Sequence, residues 1–112
     1  MELTGQCKED FEKWLDDNHG ILLYNIYPNM AGYTCLKTLP DSMQFGVLVD
    51  FFDSVGIRII IGTGYSGYLY FYSIKRPNFN AEFDNEFQTR QEARTKAIEK
   101  ADEIYNKADG KV

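Results

Sequence analysis

The stretch IIIGTGYSGYLYF, residues 59–71, joins two strand-forming runs through a glycine-rich loop. Its glycines, Gly62, Gly64 and Gly67, have the G-x-G-x-x-G spacing of a dinucleotide-binding loop. That motif needs a helix directly after its third glycine, because the pyrophosphate rests on the helix N-terminus. The residues that follow here, YLYFYSI, favour a strand instead. We therefore predict a β-hairpin over residues 57–74 in which the glycines form the turn.

The N-terminal segment predicts an amphipathic helix over residues 4–18, because apolar side chains recur there at helical spacing. Gly20 supplies a stop signal for this helix. The next run, ILLYNIYP at residues 21–28, is short, rich in Ile and Tyr and bounded by Pro28, which favours a strand. After a PNMAG turn, residues 32–38 are predicted as either a second strand or irregular chain.

The segment LPDSMQFGVLVDFFDSVG is rich in Val and Phe, yet its periodicity favours a helix over a strand. At about 100° per residue its apolar side chains fill one arc, and Asp50 and Asp53 lie on the opposite arc. Pro40 suits the first turn of a helix and Gly56 suits its C-terminal cap. We predict a helix over residues 40–55.

A third helix is predicted over residues 89–108. Thr89 and Glu92 have the spacing of a capping box, in which side chains satisfy backbone N–H groups at the helix start. The apolar stripe beyond them is rich in alanine, so this helix can pack close to a sheet. The preceding polar segment, residues 75–88, is predicted to be a long loop held at intervals by aromatic contacts from Phe79, Phe83 and Phe87.

Together these elements predict a single α+β domain over residues 1–112, with three helices packed on a small antiparallel sheet that contains the hairpin. A chain of 112 residues has room for one hydrophobic core. Its 44% hydrophobic and 26% charged residues are typical of globular proteins rather than disordered ones.

Charge and hydropathy exclude several classes of function. A formal net charge of −5 disfavours general affinity for nucleic acid, which depends on a concentrated cationic surface. No apolar run approaches the ~18 residues that span a bilayer, and no leader pattern is present, so we expect a cytoplasmic protein without membrane contact.

Cys7 and Cys35 are too few for a disulfide framework and are expected to be reduced thiols. Neither a cofactor nor a metal ion is expected.

The second hairpin strand carries a candidate binding surface. Its tyrosines alternate with Leu69 and Phe71, so the two sets point to opposite faces. If Leu69 and Phe71 meet the helices, the tyrosines form a row on the outer surface, where amphipathic rings commonly serve an interface. The alternative is that the 75–88 loop or a neighbouring segment covers the tyrosines. The candidate partner-binding residues are Tyr68, Tyr70, Tyr72, Lys75 and Arg76.

Nucleic-acid binding is an alternative function, with hairpin aromatics stacking on bases and basic residues near 75–96 contacting phosphates. An α-β-β-β-α order would resemble the double-stranded-RNA-binding domain, and Glu92, Ala93 and Arg94 are similar to its E-A-K step. A helix over 40–55 breaks that order, and the acidic charge opposes recognition of a phosphate backbone.

Catalysis is not predicted, because few reactive groups are placed to converge. His19 lies at the predicted end of the first helix, where a histidine favours the helix dipole. Cys7 belongs to an apolar stripe and is expected in the core. Asp50 and Asp53 share the solvated face of the second helix, without further ligands at metal-binding spacing.

Two stretches, LPDSMQFGVLVDFFDSVGI and FQTRQEARTKAIEKADEIYN, resemble segments of small uncharacterised proteins of Bacteroidetes genomes, prophages and mobile elements. They make up about a third of the chain. The resemblance implies a bacterial or phage cytosolic setting and a module built from these helices beside the hairpin, and it implies no activity or site residues. We therefore expect a non-enzymatic accessory protein that acts through a protein partner or through self-association.

Overall fold

The computed structural model describes residues 1–26, 36–64 and 67–109. The helices and strands follow in the order α1 (Gly5–Ile26), α2 (Asp41–Ser54), β1 (Arg58–Thr63), β2 (Tyr70–Lys75), β3 (Glu82–Phe87) and α3 (Arg90–Asp109). The three strands form one antiparallel sheet in the order β1-β2-β3. The predicted α+β class, with three helices and a small antiparallel sheet, is confirmed for the described residues.

The hairpin is formed by β1 and β2. Ile59 lies opposite Ile74 and Ile61 lies opposite Tyr72. The Gly64 N–H donates to the Leu69 carbonyl at 2.9 Å, which closes the loop between the strands. Because β2 is extended from Tyr70 onward, the chain after the third glycine has no helix end on which a pyrophosphate could rest.

The prediction of a long loop over residues 75–88 is wrong, because residues 82–87 form the third strand. Its sequence, EFDNEF, is polar because β3 is an edge strand with most of its side chains in solvent. Tyr70 pairs with Phe87 and Tyr72 pairs with Asp84, so β3 carries one residue more than β2 over this span, a β-bulge. The extra residue interrupts the two-residue alternation from which a strand is recognised in a sequence.

The predicted strand over residues 21–28 is also wrong where the structure describes it, because α1 continues through Gly20 to Ile26. A glycine inside a helix costs only about 1 kcal/mol relative to alanine, so it does not end a helix by itself. Residues 27–35, with most of the second candidate strand at 32–38, lie outside the described residues.

These two corrections change the order of the elements. All three strands now follow α2 and precede α3, so the last five elements have the order α-β-β-β-α. The expectation that a helix over 40–55 would break that order is therefore wrong. The structure instead adds α1 in front of the five-element unit.

The ends of α2 and α3 follow their sequence signals closely. Gly56 has a φ of 84°, and its N–H donates to the Asp53 carbonyl at 3.1 Å, as expected for a left-handed residue just after a helix. At the start of α3 the Glu92 N–H donates to Thr89 Oγ1 at 3.0 Å. The Glu92 carboxylate accepts from the Gln88 N–H at 3.0 Å, one residue earlier than in a standard capping box.

The core lies between the helices and one face of the sheet. Phe51 of α2 is at its centre, with its ring 5.3 Å from Phe11, 5.7 Å from Trp14 and 5.9 Å from Tyr105. On α3 the buried stripe consists of small residues and two isoleucines: Ala93, Ala97, Ile98, Ala101 and Ile104. Helices α2 and α3 lie against the sheet, and α1 packs on these two helices.

Two side chains of α3 cap the N-terminus of α1. Asp102 accepts from the Thr4 N–H at 2.9 Å and from the Thr4 hydroxyl at 2.7 Å. The Asn106 side-chain oxygen accepts from the Cys7 N–H at 2.9 Å, and its amide nitrogen donates to the Thr4 carbonyl at 3.0 Å. First-turn N–H groups of a helix have no partner within the helix, so α3 supplies the partners that α1 lacks.

We predict that Asn106→Ala lowers the free energy of unfolding by about 1–3 kcal/mol, because it leaves the Cys7 N–H without an acceptor. Urea denaturation followed by circular dichroism measures the change. The matched control is Asn18→Ala, since the Asn18 amide donates to the Trp14 carbonyl of its own helix on the exposed side of α1. A control within about 0.5 kcal/mol of the wild type is expected, and equal losses in both variants would contradict the capping role.

Candidate binding face of the sheet

Alternation along the strands divides the sheet into two different faces. On the inner face Ile59, Tyr72 and Ile74 are buried against the helices. The residues between them point the other way. We call this second surface the outer face; it consists of Arg58, Ile60, Gly62, Phe71, Ser73, Lys75 and Phe83. None of these seven residues is buried in the structure as described.

The outer face carries an apolar patch. Ile60, Ser73 and Phe83 form one cross-strand row, since Ile60 pairs with Ser73 and Ser73 pairs with Phe83. The Phe83 side chain is 59% exposed and Ile60 is 39% exposed. The ring of Phe71 lies 5.5 Å from that of Phe83 at an interplanar angle of 34°. Phe83 is exposed and Phe71 is half-buried, and an aromatic pair at the surface is typical of a binding site because burying it on a partner is favourable.

A glycine makes room for the Phe71 ring. An added Cβ at Gly62 would lie 2.7 Å from Phe71 Cζ and 2.8 Å from Cε2, closer than carbon atoms approach. Gly62 and Phe71 are directly opposite each other in the register. The absent side chain therefore leaves room for the far end of the Phe71 ring beside β1, where Phe71 is half-buried.

The hairpin end of this face opens into a depression of about 630 Å³, lined in part by Phe71, Phe83 and Glu86. Glu86 is part of the β3 bulge and has a φ of 70°, a left-handed conformation that is uncommon for a residue with a side chain. The bulge bends β3 and increases its twist, which shapes the rim of the depression.

The opposite end of the face is cationic. Arg58 pairs directly with Lys75, and Arg76 follows it; these three residues form what we call the cationic corner. Asp53 at the end of α2 lines the same shallow pocket of about 420 Å³. Among the described residues no carboxylate lies within salt-bridge distance of these three cations. Like charges directly opposite on a sheet are mildly destabilising, so this corner favours an approaching anionic group.

The predicted tyrosine row does not exist as one surface. Tyr68 precedes β2 and is 82% exposed, Tyr70 is half-buried, and Tyr72 is on the inner face with only 7% of its surface exposed. The condition for such a row, that Leu69 and Phe71 meet the helices, is not met, because Phe71 lies on the outer face. Burial raises the pKa of the Tyr72 hydroxyl above its ordinary value, with a further contribution from the Asp84 carboxylate.

The orientation of the sheet had a signal in the sequence. Lys75 alternates in phase with Phe71, and Arg58 alternates in phase with Ile60. A charged residue is rarely buried without a partner, so each cation marks its set of residues as the solvent-facing one. Phe83 had no comparable signal, because its strand was not predicted. Of the predicted residues, Lys75 is exposed on the outer face, and the Arg76 guanidinium lies 4.0 Å from the centre of the Phe79 ring.

The residues considered for catalysis or metal binding do not form a site in the described part of the chain. Cys7 is fully buried in the core, as expected, and burial raises the pKa of its thiol far above the ordinary value, with the nearby Asp102 carboxylate adding to the shift. Asp50 and Asp53 are exposed on α2. The His19 side chain lies outside the described set. Among the residues that are described, no group of three or more His, Cys, Asp or Glu could hold a metal ion.

We predict that Gly62→Ala displaces the Phe71 ring and lowers the free energy of unfolding by about 1–3 kcal/mol through overpacking. Thermal denaturation measures the loss of stability, and the aromatic proton shifts report the moved ring. Gly64→Ala is the control, since its nearest neighbour would be the Leu69 carbonyl at 3.8 Å, an ordinary contact. Equal changes in the two variants would show that the close approach of Phe71 is not the cause.

We also predict that stability falls more steeply with rising pH when Cys7 is present. Above its ordinary pKa of 9.0 the thiol ionises in the unfolded chain, whereas the buried thiol keeps its proton. The folded state then binds more protons, so stability is full below about pH 9 and decreases above it, by up to about 1.4 kcal/mol per pH unit. Urea denaturation at several pH values, compared with Cys7→Ala, isolates this contribution because both chains share the same tyrosines. Identical slopes would contradict it.

A scan against protein-family models finds no matching family, and comparisons with curated proteins and with solved structures find no significant match. None of the described helices has the length and apolar character that crossing a bilayer requires. The fold and the outer face are therefore the basis on which a function can be argued.

Proposed function

We propose that this protein is a non-enzymatic accessory protein of a bacterial or phage cytosol that binds a partner protein through the outer face of its sheet. The single observation that supports this most is the aromatic pair Phe71 and Phe83 on the outer face. Phe83 is 59% exposed and Phe71 is half-buried, and neither ring belongs to the core. The proposal keeps the expected mode of action and moves the contact from the tyrosines to these phenylalanines.

The outer face has the residue types of a surface that a partner protein covers on binding. Aromatic rings at the centre of an interface contribute most of its binding energy when a partner excludes water from them. Here the rings are flanked by Ile60 and by the cationic corner, so an apolar centre adjoins a charged rim. Interfaces are commonly arranged in this way, with charge on the rim setting orientation and association rate.

The same face offers little for catalysis. The seven residues of the outer face include no carboxylate, histidine or cysteine, and among the described residues one carboxylate lines each end pocket, Glu86 at the hairpin end and Asp53 at the cationic corner. The face therefore lacks the paired groups that most often act as general acid and base. A cationic corner beside an aromatic pair binds and orients groups but does not move protons at neutral pH. This supports a binding role over an enzymatic one.

The proposal predicts that a partner captured from a bacterial lysate by the immobilised wild-type protein is lost from Phe83→Ser. This substitution removes the most exposed apolar side chain of the patch. Truncating an aromatic side chain at the centre of an interface typically weakens binding by about 2 kcal/mol or more, roughly a 30-fold loss of affinity. Quantitative mass spectrometry of the captured proteins measures the loss.

Phe79→Ser is the matched control for this experiment. Phe79 is 61% exposed, nearly the same as Phe83, but it lies in the turn after β2 and outside the outer face. Capture should fall far less than in Phe83→Ser, because this change leaves the aromatic pair in place and reaches the surface only through Arg76, whose guanidinium lies 4.0 Å from the Phe79 ring centre. A Phe83→Ser protein that remains folded and keeps every partner would reject the outer face as the contact surface.

Nucleic-acid binding remains the second candidate, because the last five elements have the α-β-β-β-α order and an aromatic pair lies beside cations. Aromatic side chains next to a cationic groove can stack on the bases of a single strand. Two basic residues at the start of α3 already make cation–π contacts within the protein. The Arg90 guanidinium lies 5.3 Å from the centre of the Tyr70 ring, and that of Arg94 lies 5.3 Å from the centre of the Phe45 ring. The acidic edge at β3 and the net charge of −5 also oppose a polyanion.

Filter binding with single-stranded and double-stranded RNA and DNA separates the two candidates. We expect no retention of any of the four at low salt, where phosphate contacts are strongest. Retention that falls steeply with added salt and is lost in Lys75→Glu would favour the nucleic-acid candidate over the protein-binding one.

A further inference from the structure

The edge strand β1 has features that favour pairing with a strand of another molecule, and the other edge strand, β3, lacks them. Among the described residues β1 is hydrogen-bonded only to β2, so its second side presents backbone N–H and C=O groups without strand partners. Its sequence, RIIIGT, contains three consecutive isoleucines and one charged residue. A regular, apolar edge strand of this kind is a template for another strand.

The opposite edge, β3, has several features that prevent pairing. It contains the bulge, and Glu86 is in a left-handed conformation that interrupts a flat edge. It also carries three acidic residues and no basic one, namely Glu82, Asp84 and Glu86. Charges and bulges on an edge strand are the usual means by which proteins block edge-to-edge association. Within the part of the chain that the structure describes, the sheet therefore has one edge open to strand pairing, β1, and one edge closed to it, β3.

We propose that two copies of this chain associate by antiparallel pairing of their β1 strands across a two-fold axis, forming a continuous six-stranded sheet. A second copy fits this edge better than a longer assembly does, because β3 is closed. Once two β1 strands have paired, the new sheet ends on both sides in a β3 strand, so association stops at the dimer. The inference uses the backbone edge and does not depend on the proposed function of the outer face.

The strand sequence favours one register for this pairing. Residues directly opposite each other must share a face of the sheet, which permits Ile60 opposite Ile60 of the second copy and Ile59 opposite Ile61. Every such pair joins two β-branched side chains, which is favourable across strands. Sliding the strands until Arg58 meets Arg58 would instead place two like charges together.

This register also gives Arg58 a partner. It places Arg58 of one copy opposite Gly62 of the other, where the Phe71 ring lies across the glycine. The guanidinium can then lie against that ring, since arginine is attracted to the face of an aromatic ring within about 6 Å. The absence of a side chain at Gly62 is what allows the Phe71 ring to lie at this position.

Pairing would also extend the outer face. The row of Ile60, Ser73 and Phe83 would continue into the same row of the second copy, making an apolar band across six strands, about 24 Å wide at roughly 4.8 Å per strand spacing. One strand pair alone buries less than the roughly 1,200 Å² of a standard interface, so the dimer should be weak and concentration-dependent.

Sedimentation velocity of the full chain over a range from low to high micromolar concentration tests the proposal. The wild type should change from monomer to dimer as concentration rises, with no larger species. Ile60→Lys should remain monomeric, because it places two lysines opposite each other at the two-fold axis. Phe83→Lys is the matched control, since it adds the same charge to the same face at the closed edge, and it should dimerise as the wild type does.

Three outcomes would overturn the inference: a wild type that is monomeric throughout, a dimer that survives Ile60→Lys, and a dimer that is lost in Phe83→Lys, which would indicate stacking of outer faces.

If Ile60→Lys does not fold, disulfide formation tests the register instead. In a Cys35→Ser chain, oxidised Ile60→Cys should form a cross-linked dimer and Thr63→Cys should not. Cross-linking of both or of neither would contradict the register. Loss of the dimer leaves partner capture through Phe83 untouched, so the two proposals fail separately.

Discussion

The packing of α3 against the sheet is the constraint on which the rest of the structure depends. This helix contacts every other described helix and strand, and it does so through a stripe in which Ala93, Ala97 and Ala101 are fully buried. Small side chains let the helix axis lie close to the sheet, so the larger inner-face residues Tyr72 and Ile74 fill the remaining space. A bulky residue in the stripe would push the helix away from the sheet and from α1 at once.

Because α2 and α3 cover one side of the sheet, one face of the sheet belongs to the core and the other lies at the surface. The inner face and Phe51 form the core, and the outer face keeps an aromatic pair, a cationic corner and a depression at its hairpin end. The two edges differ as well, with a regular isoleucine strand at β1 and a bulged acidic strand at β3. Both proposals follow from this asymmetry, one from the face and the other from the edge.

Local signals predicted most of the elements and part of the candidate site. The Thr89 cap, the left-handed Gly56 and the glycine-rich hairpin depend on interactions within a few residues, so their sequence patterns were sufficient. Lys75, one of the candidate partner-binding residues, is exposed on the outer face. The strand β3 was missed because a bulge disturbs its alternation, and Phe83, the most exposed member of the apolar patch, was missed with it. The continuation of α1 past Gly20 was missed because a helix tolerates one glycine when the rest of the chain favours it.

The sequence by itself determined the class of the fold, two of the three helices nearly to the residue, and the hairpin, because capping, periodicity and turn chemistry act over short distances along the chain. The alternation of tyrosines with Leu69 and Phe71 did not decide which side of β2 is buried, since such a strand can be placed against helices either way. Lys75 gave a local signal for the outer side, and the tertiary structure decided the outcome. The packing of α3 on β2 accompanies the burial of Tyr72 and Ile74, and it leaves Phe71 half-buried on the outer face beside Gly62.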